Sequence, residues 1–318
     1  MTDQTDTAEA LFSRYEHLEP LGHRGCGELF RAVDSYLNKI VSVKLIHFHD
    51  KEHGFVSDVL REISLLMELR HVNIVRLIAV ETVPGHRNGC RLIMECGQCN
   101  LASYIKAHIF EGINPEIAKN FLMQILKGLN YCHSKKFMHR DLNPRSILIA
   151  DEGVIKLSDF GLSVACDTPC SKYSLKVGSL RYRAPELLLG LPLPYTNSID
   201  IWAVGCIFVE LVTRNPLFTG TSEATVMESI ISIFGMPTEA DLPGAAGYCR
   251  NKFAIQEPTI KSRRHLGRLV PSLPKEGLDL LEEMLCINPD KRISAANALL
   301  HPFFEEFGLK PKELLLQE

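Results

Sequence analysis

Two short stretches of the sequence decide the fold. The first reads His139-Arg140-Asp141-Leu142-Asn143-Pro144-Arg145-Ser146, and the second reads Ser158-Asp159-Phe160-Gly161. Each carries an aspartate in a polar segment, and a single segment of this kind is commonly no more than an ordinary salt-bridged loop. The two stretches gain their weight from the ordered set of motifs around them.

The composition is that of an ordinary globular protein. The chain has 318 residues, of which 46% are hydrophobic and 23% charged, and this length allows more than one core. A formal net charge of -3 gives no reason to expect nucleic-acid binding. The longest apolar run, 199–212, contains two acidic residues and is too short to span a membrane. The polar first ten residues do not have the pattern of a signal peptide.

The ten cysteines are spread through the chain. This usage favours reduced thiols and hence a protein of the cytoplasm or nucleus. Cys96 and Cys99 have the spacing of a redox or zinc pair, but no second pair or neighbouring histidine completes such a site. We therefore expect these two cysteines to be structural.

Apolar periodicity divides the chain into a strand-rich part and a helical part, joined near Cys96. Alternating runs predict strands at 15–21, 28–33, 40–46, 74–81 and 91–95, and helical spacing predicts one helix among them at 58–69. Beyond residue 100, the same spacing predicts helices at 101–107, 115–134, 198–213 and 221–233.

Three features of the strand-rich part suit phosphate binding. Gly22, Gly25 and Gly27 occupy a turn between two predicted strands, where glycine lets backbone N–H groups approach a phosphate closely. Lys44 lies on the third predicted strand and Glu62 on the helix that follows. Because the turn alone could be a plain hairpin and a lone strand lysine is usually solvated, the order of the motifs matters more than any one of them.

In this order the motifs resemble those of eukaryotic protein kinases: a glycine loop, the V-A-I-K lysine, a helix glutamate, H-R-D-x-x-x-x-N, D-F-G and A-P-E. The stretches 61–77 and 159–186 resemble cyclin-dependent kinases, which belong to the proline-directed Ser/Thr group. The resemblance implies a two-lobed α+β fold over 15–306, with a β-rich N-lobe at about 15–96 and a mainly helical C-lobe at about 97–306. A disordered tail at 1–14 and an extension at 307–318 would flank it.

The resemblance also assigns the catalytic roles. Asp141 would accept the proton of a substrate Ser or Thr hydroxyl as it attacks the γ-phosphate of ATP. Lys44, paired with Glu62, would orient the α- and β-phosphates, and Asp159 would bind Mg²⁺. The implied reaction transfers the γ-phosphate to a protein, with Mn²⁺ as a second usable metal.

Two substitutions distinguish this chain from the family pattern. Asn143 stands where Ser/Thr kinases usually carry a lysine facing the γ-phosphate, and Ser146 stands at the position of the second magnesium ligand. An amide cannot neutralise charge, and a serine hydroxyl reaches less far than an asparagine carboxamide. If each change costs about 1.5–3 kcal/mol, the rate falls roughly tenfold to a hundredfold per change. We therefore expect an impaired or metal-demanding kinase.

An ATP pocket is implied as well. The glycine loop and neighbouring strands would contribute Leu21, Gly22, Gly25, Gly27, Leu29, Ser42 and Lys44. Later segments would contribute Met94 as gatekeeper, Glu95 and Gly97 as backbone partners of adenine, Asn100 toward the ribose and Leu148 as an apolar wall. Arg24 replaces the middle glycine of the loop pattern, so the loop shape departs from that of the family.

The activation segment would carry the regulation. Ser174 falls where cyclin-dependent kinases are phosphorylated, and Arg61 and Arg140 would clamp the phosphate. Val164 replaces the third arginine usual in this clamp, which would weaken it.

Substrate choice would depend on the end of the same segment. Gly178 occupies a position held at positive φ in proline-directed kinases, which glycine adopts at little cost. Arg183 is available to bond its carbonyl, and together they favour substrates with proline after the phosphoacceptor. Arg181 stands where the subfamily has tryptophan, which leaves the strictness of this preference open.

Two pairings of the C-lobe follow from the resemblance. Asp200 would anchor the catalytic loop from a helix, and Glu186 would form an ion pair with Arg292.

The helix segment 56–62 fills the place that cyclins grip. The implied partners are therefore protein substrates and a cyclin-like activator, and the chain would be a monomer or a heterodimer. Alternatively, Val59 and Leu60 only pack on the N-lobe.

The sequence leaves two functions open. The first is a Ser/Thr kinase of the cyclin-dependent type, and the second is a pseudokinase scaffold or nucleotide-binding regulatory protein without turnover. The two catalytic-loop substitutions and Arg24 favour the scaffold. The retained lysine, glutamate and two aspartates favour the enzyme.

Overall fold

The computed structural model describes residues 14–24, 27–47, 53–82, 89–165, 178–190, 195–255 and 266–307. They divide into two compact units: the first holds the described residues up to Gln98 together with 148–162, and the second holds those of 99–147 and from Ser163 onward. The predicted α+β fold class, with a strand-rich part and a helical part, is confirmed. Unlike the predicted lobes, the units are not divided at one point of the chain, because 148–162 packs with the first.

The described strands are β1 (Tyr15–Arg24), β2 (Gly27–Asp34), β3 (Lys39–His47), β4 (Leu77–Thr82), β5 (Gly89–Glu95), β6 (Cys99–Asn100), β7 (Phe137–Met138), β8 (Ile147–Ile149), β9 (Ile155–Leu157) and β10 (Val164–Ala165). The described α-helices are α1 (His53–Glu68), α2 (Leu101–Ala107), α3 (Pro115–Ser134), α4 (Pro185–Leu189), α5 (Ser198–Thr213), α6 (Glu223–Phe234), α7 (Ala245–Phe253), α8 (Lys275–Met284) and α9 (Ala295–Leu299).

A five-stranded antiparallel sheet of order β1-β2-β3-β5-β4 forms the body of the first unit. The central strand β3 is buried from Val41 to Ile46, as its unbroken β-branched and apolar sequence predicts. Tyr15, Ala32, Val41, Val43 and Ile93 form a core cluster on this sheet. In this register Lys44 lies opposite Leu29 of β2 and Leu92 of β5.

Two predicted boundaries in the first unit are wrong. The helix predicted at 58–69 begins earlier, at His53. The strand predicted at 74–81 begins at Leu77, because Ile74 forms an isolated parallel bridge with Leu157 and the N–H of Val75 donates to the Leu157 carbonyl at 2.8 Å. A buried apolar residue that pairs outside its own sheet has the same local pattern as a strand residue.

In the second unit, the helices predicted at 101–107, 115–134 and 198–213 have the predicted bounds. The helix predicted at 221–233 runs instead over Glu223–Phe234, because Ser222 and Thr225 form a capping box that sets its start.

The predicted terminal segments lie almost wholly outside the described residues, which begin at Arg14 and end at Phe307. Arg14, assigned to the disordered tail, is held by two hydrogen bonds to Asp34 and one to Glu81. Phe307, assigned to the extension, closes the short 3-10 helix Pro302–Phe307.

Helix α5 forms the centre of the second unit and is buried from Ser198 to Leu211. Trp202 stacks on Phe218 with ring centroids 5.7 Å apart. At Gly205 a Cβ would lie 2.8 Å from Leu285, so the glycine allows close packing against the end of α8. In the part of the chain that the structure describes, no helix is long and apolar enough to cross a membrane.

Candidate functional site

Lys44 and Glu62 form a buried ion pair in the first unit. The Lys44 Nζ donates to both carboxylate oxygens of Glu62 at 2.8 Å, and each residue is 2% exposed. Lys44 comes from the central strand β3, and Glu62 comes from the face of α1 that also buries Val59 and Leu65. The predicted pairing is confirmed. Because both carboxylate oxygens are used, the position of the ammonium group is well defined.

The segment around Asp159 packs on the same helix. Phe160 is buried in the 3-10 helix Phe160–Leu162, which contacts α1. A Cβ at Gly161 would lie 3.2 Å from the Glu62 carboxylate, so glycine lets the backbone pass close to the ion pair. The half-buried Asp159 has a φ of 64°. Its carboxylate is the hard oxygen donor that Mg²⁺ prefers, so its chemistry fits the predicted metal role.

The glycine loop is described only in part. Gly22 has a φ of 107°, a conformation that favours glycine. Gly27 has a structural reason to be glycine, because a Cβ there would lie 2.5 Å from the Leu45 carbonyl oxygen of β3. Gly25 lies outside the described residues. Leu21 is exposed and Leu29 is half-buried.

The predicted adenine-binding residues of the first unit lie at the end of β5 and just beyond it. Met94 is buried and lies opposite Ser42 of β3. The Glu95 side chain is engaged by Lys156 at 2.8 Å, and the Gly97 carbonyl accepts a 3.3 Å contact from the Cys96 thiol. The predicted backbone roles of Glu95 and Gly97 stay predictions.

Two more predicted pocket residues have local structural roles. Leu148 is half-buried in β8. Asn100, in the second unit, caps helix α2, where its side-chain oxygen accepts a hydrogen bond from the Ser103 N–H at 2.9 Å. Its predicted contact with a ribose stays a prediction.

The Asp141 carboxylate is held on one oxygen. Its Oδ1 accepts hydrogen bonds from the Ser179 N–H at 2.7 Å, the Ser179 hydroxyl at 2.9 Å and the Asn143 amide at 3.2 Å. Asn143 also donates to the Asp141 carbonyl at 2.9 Å and accepts from the Arg145 N–H at 3.0 Å. Its carboxamide therefore braces the catalytic loop.

Ser146 is fully buried, at 0% exposure, and its hydroxyl also braces the loop. The hydroxyl lies 3.0 Å from the carbonyls of both Asp141 and Asn143, and it accepts a hydrogen bond from the Asn143 N–H at 3.1 Å. A hydroxyl has one proton and two lone pairs, so these contacts use its proton and one lone pair. The predicted metal role of Ser146 stays a prediction, and only one lone pair is left to serve it.

Asp200 anchors the catalytic loop from helix α5, as predicted. Its carboxylate accepts hydrogen bonds from the backbone N–H groups of His139 at 2.9 Å and Arg140 at 2.8 Å, and from the His133 ring at 3.0 Å. Burial alone would raise the pKa of Asp200, but the His133 hydrogen bond and the backbone donors outweigh it and lower the pKa below its usual value.

Comparison with known families agrees with this geometry. The sequence profile of the protein kinase domain matches residues 15–304. The chain belongs to the protein kinase family. Members of this family act on protein substrates. In this kinase domain both predicted C-lobe pairings are present, because Arg292 also forms a buried bidentate pair with Glu186 at 2.8 and 3.1 Å.

The loop that ends the activation segment has the predicted conformation. In the kinase domain Gly178 has a φ of 76°, and its carbonyl accepts a 2.9 Å hydrogen bond from Arg183. A Cβ at Gly178 would lie 2.6 Å from the Arg140 carbonyl oxygen. Glycine is therefore required here both by its φ angle and by the lack of space.

The predicted phosphate clamp is only partly described. Ser174 lies outside the described residues. Arg61 is exposed on α1 in the first unit, and Arg140 in the second unit donates to the Tyr195 hydroxyl at 3.1 Å. Val164 is buried in β10 and pairs with Met138 of β7. The regulatory role of Ser174 stays a prediction.

Cys96 and Cys99 are half-buried free thiols. Burial raises the pKa of both thiols above the usual value. Redox chemistry and zinc binding need the thiolate, so this shift works against both.

Sequence reasoning missed Ser179. It provides two of the three hydrogen bonds to the Asp141 carboxylate, although it is far along the chain from the catalytic loop. The only available signal was its position beside Gly178, and a serine in a loop has no feature of its own that predicts this contact.

Proposed function

We propose that this kinase domain is an active Ser/Thr protein kinase of the cyclin-dependent type, which transfers the γ-phosphate of ATP to Ser or Thr followed by proline. The observation that carries this proposal is the set of three hydrogen bonds on Asp141. All three go to Oδ1, so we assign Oδ2 as the oxygen that accepts the proton of the substrate hydroxyl.

The remaining conserved groups would act on the nucleotide. Lys44, oriented by Glu62, would hold the α- and β-phosphates, and Asp159 would hold the metal. When bound, magnesium–ATP supplies the phosphoryl group and the positive charge that offsets its oxygens. Asn143 and Ser146 would contribute mainly by keeping the loop, and with it Asp141, in place.

A pseudokinase scaffold is the second candidate. The observation that favours it is the engagement of Ser146, whose buried hydroxyl contacts the loop backbone in three hydrogen bonds. A site with one full-strength metal ligand in place of two would bind nucleotide more readily than it would turn it over.

The proposed proline preference is supported by the Gly178 conformation. Its positive φ and the Arg183 hydrogen bond direct the Gly178 carbonyl toward Arg183. A substrate residue at this point would find no acceptor in that carbonyl for its own N–H. Proline, which has no N–H, loses nothing there.

The proposed activator is a cyclin-like protein that binds helix α1. Of the two residues left open by the sequence, Val59 is 0% exposed and packs in the first unit, whereas Leu60 is 57% exposed. Met67, two turns further along the helix, is also exposed. Exposed apolar residues on one helix suit a partner with an apolar groove. We also propose that phosphorylated Ser174 engages Arg61 and Arg140 in a protein of the cytoplasm or nucleus.

Phosphotransfer by the purified protein tests this function. The substrates are a Ser-Pro peptide and its Ser-Ala counterpart, titrated with Mg²⁺ and Mn²⁺, with and without candidate cyclins. We expect transfer that rises with metal, prefers Ser-Pro and is lost in Asp141→Asn. Measurable nucleotide binding with no transfer under any of these conditions would establish the scaffold instead.

A further inference from the structure

A cavity of about 400 Å³ opens in the second unit beside the catalytic loop. Its wall includes Asn143, Ser179, Arg145, Arg181 and Glu210. Asn143 and Ser179 are the two residues that hold the Asp141 carboxylate. The cavity therefore begins one side chain away from the proposed base.

The exposed charge on the cavity wall is positive. Arg145 and Arg181 are both exposed. Glu210 is only 8% exposed, and its carboxylate accepts a 2.7 Å hydrogen bond from the Tyr182 hydroxyl. Burial raises the pKa of Glu210, while the Tyr182 hydrogen bond and the charge of Arg181 act to lower it, so the guanidinium of Arg181 is felt at this carboxyl group.

We infer that this cavity binds an acidic side chain of the protein substrate, a carboxylate or a phosphate, within about two residues of the phosphoacceptor. Guanidinium groups suit both anions because their N–H donors match two oxygens at once. The inference rests on the proposed function, since it gives the substrate class of the same site. Arg181 replaces the tryptophan of the subfamily, so the feature belongs to this chain.

Recognition of a basic residue by Glu210 is the competing possibility. Its carboxylate is nearly inaccessible and already accepts a hydrogen bond from Tyr182, so a substrate lysine or arginine would have to displace that contact. It would also have to enter between two exposed guanidinium groups. Both effects favour an acidic side chain.

Direct binding of labelled peptides, measured by fluorescence anisotropy without nucleotide, tests the inference independently of turnover. The peptides carry alanine in place of the phosphoacceptor, followed by proline. At each of the two positions on either side they carry aspartate, phosphoserine, alanine or lysine. We expect aspartate or phosphoserine at one position to bind about tenfold more tightly than alanine, and lysine to bind more weakly than alanine.

The variant arm reverses the charge of the cavity. In the double variant Arg145→Glu with Arg181→Glu, the preference should change to lysine. Arg268→Glu reverses an exposed arginine that is not part of the cavity wall, and it should leave the preference unchanged. Circular dichroism checks the fold, and the wild-type peptide series needs no variant.

Each outcome has a defined meaning. Equal binding of all peptides, no peptide binding, or a preference for lysine in the wild type would overturn the inference. Tighter binding of phosphoserine than aspartate would identify phosphate as the anion, and the reverse would identify the carboxylate. Acidic preference in a protein that shows no phosphotransfer would support the cavity while contradicting the proposed enzyme.

Discussion

The hydroxyl of Ser146 shows how one side chain can serve the geometry of a catalytic loop. It joins the backbone of Asp141 to that of Asn143 from a fully buried position. An asparagine has separate donor and acceptor atoms, so it could keep one such contact and still offer an oxygen to a metal. Serine has to use one oxygen for both purposes.

Ser146→Asn should therefore raise the phosphotransfer rate about tenfold and lower the metal concentration needed for half-maximal rate. The measurement is a magnesium titration of kcat. Ser146→Ala is the matched control and should lower the rate, because it removes the loop contacts without adding a ligand. An unchanged or slower rate in a Ser146→Asn protein of normal thermal stability would contradict this reading.

Ser179 acts on Asp141 at the same scale. Ser179→Ala removes the 2.9 Å hydroxyl bond to Oδ1 and leaves the 2.7 Å backbone bond. Loss of one hydrogen bond to a carboxylate predicts a fall in kcat of about tenfold to a hundredfold. Ser179→Thr keeps the hydroxyl and should stay close to the wild-type rate. Equal losses in both variants would show that the site responds to bulk and not to this bond.

At the scale of elements, the ion pair of Lys44 and Glu62 ties the central strand β3 to helix α1. Both charges are removed from water, so each depends on the other for its solvation. Gly161 passes close to the same carboxylate, and the Asp159 segment therefore packs against a helix whose position depends on this pair.

Glu62→Ala should lower the free energy of unfolding of the first unit by about 3–5 kcal/mol, because it buries the Lys44 ammonium without this partner. Urea denaturation, followed by circular dichroism, measures the change. Glu68→Ala removes an exposed glutamate from the same helix and should change the stability by less than about 1 kcal/mol. Similar effects of the two substitutions would mean that the pair contributes nothing specific.

At the scale of the whole molecule, Asp200 connects helix α5 to α3 through His133 and to the catalytic loop through His139 and Arg140. Its pKa is lower in the folded protein than in the unfolded chain. The folded state thus favours the charged carboxylate. Its stabilising contribution is fully present above the unfolded pKa and is lost as the pH falls through the folded pKa.

Asp200→Asn should destabilise the protein by about 1–3 kcal/mol at neutral pH, because a buried amide cannot accept all three hydrogen bonds. The difference from the wild type should shrink as the pH is lowered from 6 toward and below about 3.8. Unfolding free energies across this range provide the test, with the exposed Asp279→Asn as control. A difference that is constant with pH would show that the charge of Asp200 is not involved.

Sequence patterns predicted the helices of the second unit well, because α2, α3 and α5 each depend on their own apolar periodicity and end signals. The start of β4 was not predictable in the same way. Ile74 is buried because it meets Leu157, and no local pattern reports a partner so distant in the chain. The segment 148–162 likewise packs in the first unit although its chain neighbours lie in the second.

The sequence by itself determined the kinase fold, the buried Lys44–Glu62 pair and the turn at Gly178, since each follows from residue types in a fixed order. Only the tertiary structure decided that Ser179 holds Asp141 and that the Ser146 hydroxyl is used by the loop backbone. Motif order specifies which groups are present. Hydrogen bonds between side chains depend on where the folded backbone places them, and that placement is set by packing across the whole unit.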